Sequence, residues 1–159
     1  MAIMKQHIGG VTAFPQSSFL NGTTDVTARS LGVVDMSTND YPNAKVRLTV
    51  NLSTVTVPGG LVELYFISSI DNTNWTDGIT PSSSANHIDS LNTAERIMSF
   101  NTDQSTASQD INWICNDMQR LVGDLPPYWS LVVKNVSGST FEVAGHTAQY
   151  YTVSYKGST

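Results

Sequence analysis

The segment from Leu125 to Thr140, LPPYWSLVVKNVSGST, constrains the fold most because it reads as one β-strand between two turn signals. Pro126 and Pro127 have no N–H to donate to a neighbouring strand, so they mark where the strand begins. Asn135 and Gly138 are turn residues that mark its end. The residues between these signals are aromatic and β-branched, which favours a pleated sheet. The segment predicts sheet architecture and contains no catalytic motif.

The composition points in the same direction. Only 13% of the 159 residues are charged, against a typical share of roughly 25%. Polarity comes instead from 19 Ser, 18 Thr and 12 Asn residues, which favour turns and sheet surfaces over long helices. We therefore expect one mainly β domain, a jelly-roll-like antiparallel β-sandwich with one short helix and an extended N-terminal arm.

Charge and hydropathy exclude several classes of partner. The formal net charge is −5, and eight Lys and Arg residues are spread along the chain, so we expect no nucleic-acid partner. No run approaches the roughly 18 apolar residues of a membrane helix, so we expect no membrane partner. The first residues show no secretion signal, which predicts synthesis in a cytoplasm. The lone Cys115 cannot form an intramolecular disulfide, and its apolar neighbours predict a small buried side chain.

The first 24 residues are interpreted as the arm, and residues 25–159 as the sandwich domain. Gly9-Gly10 and Pro15 are expected to interrupt any regular element, yet the arm carries the apolar residues Ile3, Ile8, Phe14 and Phe19. An apolar arm either folds back onto its own core or lies across a neighbouring subunit. We expect a chain without residues 1–20 to fold but to bind its partner weakly.

Beyond the arm, short strand-like runs recur with turn signals between them. Lys45–Ser53 alternates strictly, which predicts one buried and one solvated face. Leu61–Ile67 is apolar on both faces except at Glu63, as in a central strand. Ile97–Phe100 is a further short strand.

The remaining elements are a helix and a hairpin. Apolar residues recur at helical spacing from Ile111 to Val122, with Ser108 or Asp110 as cap and Gly123 as stop. The runs 140–143 and 148–155 predict a closing hairpin.

The sequence contains none of the common catalytic or phosphate-binding motifs. The phosphate-binding loop, the nucleophile elbow and the metalloprotease helix motifs are absent, so we expect no enzyme and no catalytic, cofactor or metal residues. His7, His87 and His146 stand alone, and His87 with Asp89 is interpreted as a pair of exposed loop residues. The carboxylates Asp35 and Asp40 are not interpreted as a glycosidase pair.

The turn from Asp71 to Gly78 contains the best single contact residue. Its spacing does not match a calcium loop, because Thr73 and Trp75 occupy positions that need Asp or Asn. Trp75 lies in this polar turn, where it has little reason to be buried. We therefore expect Trp75 to be exposed and to contact a protein or a sugar.

Three segments together resemble small virion proteins of tailed bacteriophages. They are ELYFISSIDNTNWTDG from Glu63 to Gly78, LPPYWSLVVKN from Leu125 to Asn135, and the Tyr-rich closing strand. In those proteins a strand ends in a Ser-x-Asp-Gly-Thr-Asn-type turn, and a Leu-Pro-x-Tyr strand precedes an Asn-x-Ser/Thr-Gly turn. Asn72 stands where glycine is usual. The resemblance covers roughly residues 60–155.

This resemblance implies a cement or decoration protein on the outer surface of a capsid, made in the host cytoplasm. Its implied partners are the major capsid protein and other copies of itself, as a dimer or trimer. It carries over no catalytic residues. Two alternatives remain: another virion part, such as a tail or head-fibre component, and a carbohydrate- or receptor-binding module using Trp75 and the loop from Asp77 to Asn92.

Overall fold

A computed structural model describes residues 4–38, 43–54, 56–81, 91, 94–102 and 108–157. The strands within these ranges are β1 (Met4–Ala13), β2 (Ala28–Ser30), β3 (Val34–Asp35), β4 (Asn43–Asn51), β5 (Leu61–Ser69), β6 (Glu95–Asn101), β7 (Asp110–Cys115), β8 (Tyr128–Val136) and β9 (Thr147–Gly157). One α-helix, α1 (Met118–Val122), and two short 3-10 turns (Ser17–Leu20 and Thr76–Gly78) complete the described elements.

The strands form two antiparallel sheets, which confirms the mainly β sandwich class. Sheet A has the order β1-β9-β4-β7, and sheet B has the order β2-β8-β5-β6 with β3 also paired to β8. Each sheet turns one face inward, and side chains from both inner faces form the main core.

The four strands predicted most clearly are confirmed. In β4, Val46, Leu48 and Val50 point into the core while Arg47 is exposed, as strict alternation requires. β5 is buried on both faces and lies between β8 and β6. β8 follows the Pro126-Pro127 pair, and β6 contains the predicted run 97–100.

The predicted helix over 111–122 is wrong in its first half. Residues 110–115 form β7, paired with β4, and only Met118–Val122 is helical. The helix is capped by Asp117, which accepts a hydrogen bond from the Arg120 N–H, and not by Ser108 or Asp110; Gly123 does terminate it. The misleading signal is Ile114, an exposed apolar residue that made a two-residue period look like a helical one.

The predicted closing hairpin is also wrong. β9 pairs with β1 on one side and with β4 on the other. The run 140–143 contributes only an isolated bridge between Phe141 and Leu52. Phe141 is fully buried, so tertiary packing against β4, rather than local pairing, places this segment.

Residues 4–13 do form a regular element, contrary to our expectation for the arm. β1 is the edge strand of sheet A and pairs along β9, with a register shift between Ile8 and Val11 that accommodates Gly9-Gly10. Phe14 and Leu20 then enter the core. Of the two alternatives for this segment, the structure shows it folded onto its own chain.

An aromatic cluster lies at the centre of the sandwich. Trp129, fully buried on β8, lies 5.8 Å from Phe14, 6.1 Å from Phe66 and 6.0 Å from Tyr150, measured between ring centroids. Its indole N–H donates to the sulfur of Met36. The cluster therefore joins the segment after β1 to strands of both sheets.

Sheet B is covered on its outer face as well. Ala28, Tyr65, Ile67, Trp75 and Val132 form a second buried cluster there. Trp75 reaches this face because its backbone bridges back to Ser69 across the tight turn. The central strands β5 and β8 of sheet B are consequently buried on both faces.

The packing of Phe14 predicts a large effect of its removal. Phe14→Ala should lower the free energy of unfolding by about 3–5 kcal/mol, measured by urea denaturation. Phe19→Ala, at a half-buried site in the neighbouring turn, is the matched control and should cost about 1 kcal/mol. Equal losses would contradict the placement of Phe14 in the core. Because deletion of residues 1–20 removes Phe14 and β1 together, we now expect that truncation to prevent folding.

Candidate interaction surfaces

The five predicted contact residues fall in different environments. Ile8 is exposed on the edge strand, Phe19 is half-buried, and Phe14 is a core residue. Trp75 is 6% exposed, so the expectation that it is exposed is wrong. Ile3 lies outside the described residues. The structure does not bring the four described residues together into one site.

The turn that follows β5 is built around Asp71. Its carboxylate accepts hydrogen bonds from the backbone N–H groups of Thr73 and Asn74, from the Asn74 amide and from the Ser69 hydroxyl. These bonds, led by that of the Asn74 N–H, hold the pKa of Asp71 well below its usual range. The carboxylate is thus committed to shaping the turn.

The histidines and the other carboxylates considered above do not form a reactive group within the described ranges. His146 accepts from the Asn51 N–H through Nδ1 and donates to the Glu142 carbonyl through Nε2, so it ties a loop to the end of β4. His7 is exposed, and His87, Asp89 and Asp40 lie outside the described residues. No three His, Cys, Asp or Glu side chains in the described part of the chain converge as metal ligands.

Cys115 is half-buried against the core, and burial raises the pKa of its thiol.

Among the described residues, no helix has the length and apolar character needed to cross a membrane.

A polar cluster surrounds the buried carboxylate of Glu63. This carboxylate is 7% exposed, accepts from the Tyr65 hydroxyl at 2.9 Å and from Arg96 at 2.6 Å, and lies 4.0 Å from Lys134. Burial first, and then the bond to Glu63, raises the pKa of Tyr65 to about 12. The polar groups of these four side chains are partnered within the cluster, which spans strands β5, β6 and β8. The cluster is therefore a structural ion-pair network.

Among the described residues, no second buried cluster like that of sheet B lies on the outer face of sheet A, which we call the open face. Its described members are Ile8 and Val11 of β1, Tyr151 of β9, Lys45 and Arg47 of β4, and Ile114 of β7. Ile8, Val11 and Ile114 are 47%, 54% and 64% exposed. A row of exposed apolar side chains crosses the sheet here, with two cations between them.

A groove runs along the open face. It has a volume of about 350 Å³ and is lined by Ile8, Lys45, Arg47, Ile114 and Tyr151 among others. Neither cation takes part in the ion pairs found among the described residues, which both involve Glu63. The groove continues around β7, because Ile114 also lines a second groove with Met98 and Leu121.

A second apolar surface, the acidic corner, consists of Ile70, Glu95 and Asp124. Ile70 is the most exposed large apolar side chain of the described residues, and it shares a groove of about 410 Å³ with both carboxylates. Glu95 is exposed, and Asp124 accepts only a hydrogen bond from Gln119 among the described contacts. The corner combines an apolar projection with flanking negative charge.

A third surface, the valine end, consists of Val26, Val57 and Val143 on three neighbouring loops. Backbone hydrogen bonds hold these loops together. The Gly138 N–H donates to the Asp25 carboxylate, and the Val57 N–H donates to the Ser137 carbonyl. The Glu142 N–H donates to the Asn51 carbonyl. Val26 has φ +60°, a left-handed conformation that is strained for a β-branched residue. Val26 thus combines a strained backbone conformation with an exposed side chain.

The described residues form a β-sandwich with three exposed apolar surfaces. The chain matches no protein-family model and no curated protein sequence.

The Glu63 network makes a prediction about tyrosine ionisation. In an absorbance titration, the difference between wild type and Tyr65→Phe should place the pKa of Tyr65 at about 12. Glu63→Gln should lower that pKa, because it removes the negative charge beside the phenol. Since folding raises this pKa from 10.0, the neutral phenol stabilises the fold below pH 10, and the contribution is lost as the pH rises toward about 12.

Glu95→Gln is the matched control for this titration. Glu95 lies on the neighbouring strand β6 but is exposed, so its neutralisation should leave the pKa of Tyr65 unchanged. A Tyr65 pKa that does not respond to Glu63→Gln would contradict the network.

Proposed function

We propose that this protein is a structural virion protein that binds the outer surface of a phage capsid and cements neighbouring capsomers. The observation that carries the proposal is the division of its exposed apolar side chains among three separated surfaces: the open face, the acidic corner and the valine end. A protein that clamps several neighbours needs several such contacts, whereas a small-molecule site needs one concave pocket.

The positions of the surfaces favour a clamp. β5 begins at Leu61, close to the Val57 loop, and ends at Ser69, next to Ile70. At about 3.4 Å per residue, its nine residues separate the valine end from the acidic corner by roughly 27 Å. Both surfaces can therefore be occupied at the same time, and weak contacts made together become strong.

The strand order supports the jelly-roll assignment. Without the two-residue β3, eight strands remain, and their orders become 1-8-3-6 in sheet A and 2-7-4-5 in sheet B. Two four-stranded sheets in this order support a jelly roll, an architecture shared by viral capsid and lectin domains. The support for a virion role is an analogy of fold and adds to the resemblance in the strand and turn segments.

The valine end is our choice for the surface that faces the major capsid protein. Loops at the end of a sandwich commonly carry its binding residues, and backbone strain is retained where it serves a function. Val26 meets both conditions, because its strained conformation presents an exposed apolar side chain beside Val57 and Val143.

Two alternatives can be weighed against these observations. Another virion location, in a tail or head fibre, would use the same surfaces and is separated from capsid binding only by experiment. The sugar- or receptor-binding module was expected to use Trp75, which is buried, and the loop from Asp77 to Asn92, most of which lies outside the described residues. No described feature now favours that module.

Capsid binding tests the proposal directly. Purified protein is mixed with expanded shells that lack it, and sedimentation and the melting temperature of the shells are measured. Saturable binding that raises shell melting is expected. Val57→Asp with Val143→Asp should weaken binding by about tenfold or more, because two charges are placed in an apolar contact. Failure of the wild type to bind would overturn the capsid role.

Two further variants separate binding from folding. Ser18→Asp with Thr38→Asp adds the same two charges at exposed sites outside the three surfaces and should bind like wild type. Val26→Asn should raise the free energy of unfolding by about 0.5–1 kcal/mol, because Asn tolerates the left-handed conformation, while weakening capsid binding. A stabilised variant with full capsid affinity would show that Val26 makes no contact.

A further inference from the structure

We infer that the open face receives the acidic corner of a second copy of this chain. Each surface has an apolar centre with two charged side chains beside it. Both are cations on the open face, and both are anions at the acidic corner. Lys45 and Arg47 flank the groove between Ile8, Tyr151 and Ile114, whereas Glu95 and Asp124 flank the projecting Ile70. Charge complementarity of this kind guides association and fixes its register.

The charges of both surfaces are available for such a contact. Lys45 lies near enough to lower the pKa of Asp117, but the Asp117 carboxylate is already bound by Asn43 and by the Arg120 N–H. Glu95 and Asp124 take part in neither of the ion pairs of the described residues. The second copy therefore supplies counter-charges that the described part of the chain does not.

The apolar parts also correspond. Ile70 is 82% exposed at the tip of a turn that is held in shape by the Asp71 hydrogen bonds. The groove of about 350 Å³ on the open face has an apolar floor and offers a place for a single branched side chain. A rigid projection loses little conformational entropy when it enters such a groove.

The two surfaces share none of their lining residues, so one copy can use both at once. A contact between different surfaces is heterologous, and it joins copies head to tail into a ring or a chain. This inference goes beyond the proposed function, because the copies would associate without any capsid.

Sedimentation velocity of the purified full-length chain tests the inference with two charge-reversed variants. Wild type should associate as its concentration rises to about 100 µM at low salt, and should dissociate as salt screens the charges. Lys45→Glu with Arg47→Glu, and separately Glu95→Lys with Asp124→Lys, should each weaken association by about a hundredfold or more, because each variant opposes like charges. Circular dichroism establishes that both variants are folded.

An equimolar mixture of the two variants is the decisive measurement. The unchanged acidic corner of one variant fits the unchanged open face of the other, and the two reversed surfaces fit each other, so association should return. A monomeric wild type, a variant that associates like wild type, or a mixture that stays monomeric would each overturn the inference. Capsid binding is measured separately, so a failed self-association leaves the cement proposal standing, and the reverse also holds.

Discussion

The packing of Trp129 between the two sheets is the interaction on which the rest of the structure depends. Its ring touches Phe66 of sheet B, Tyr150 of sheet A and Phe14 of the segment that follows the edge strand. Large aromatic side chains bury much apolar area and prefer the edge-to-face and stacked contacts seen here. This cluster links the segment after β1 to both layers, so it helps to fix the relative positions of the surfaces described above.

The outer faces of the two sheets differ in how far the described residues cover them. The central strands of sheet B are covered by Trp75 and the residues packed around it, and the buried carboxylate of Glu63 pairs with Arg96 and accepts a hydrogen bond from Tyr65. Among the described residues, sheet A leaves apolar side chains and two cations on its surface. The proposed contact with a second copy would cover this apolar area, which is otherwise a liability.

Most of the fold could be predicted from the sequence, because strand periodicity is a local signal. Strict alternation predicts β4, a continuous apolar run predicts β5, and the Pro126-Pro127 boundary predicts the start of β8. The misassigned elements have tertiary causes: Phe141 packs against β4, and Trp75 folds back onto Tyr65 and Ile67. The open face was hidden for a related reason. Ile114 breaks the alternation of β7 because it faces outward, and an apolar residue out of phase in a strand was the signal that could have revealed the surface.

The separation of the surfaces determines what the protein can do with weak contacts. Neighbouring copies joined through the open face and the acidic corner would leave the valine end free, since β5 separates it from the corner by its full length. Each added copy would then present another valine end in a fixed position relative to the first. Binding of one end raises the effective concentration of the next, so an array could hold a repeating surface firmly although no single contact is strong.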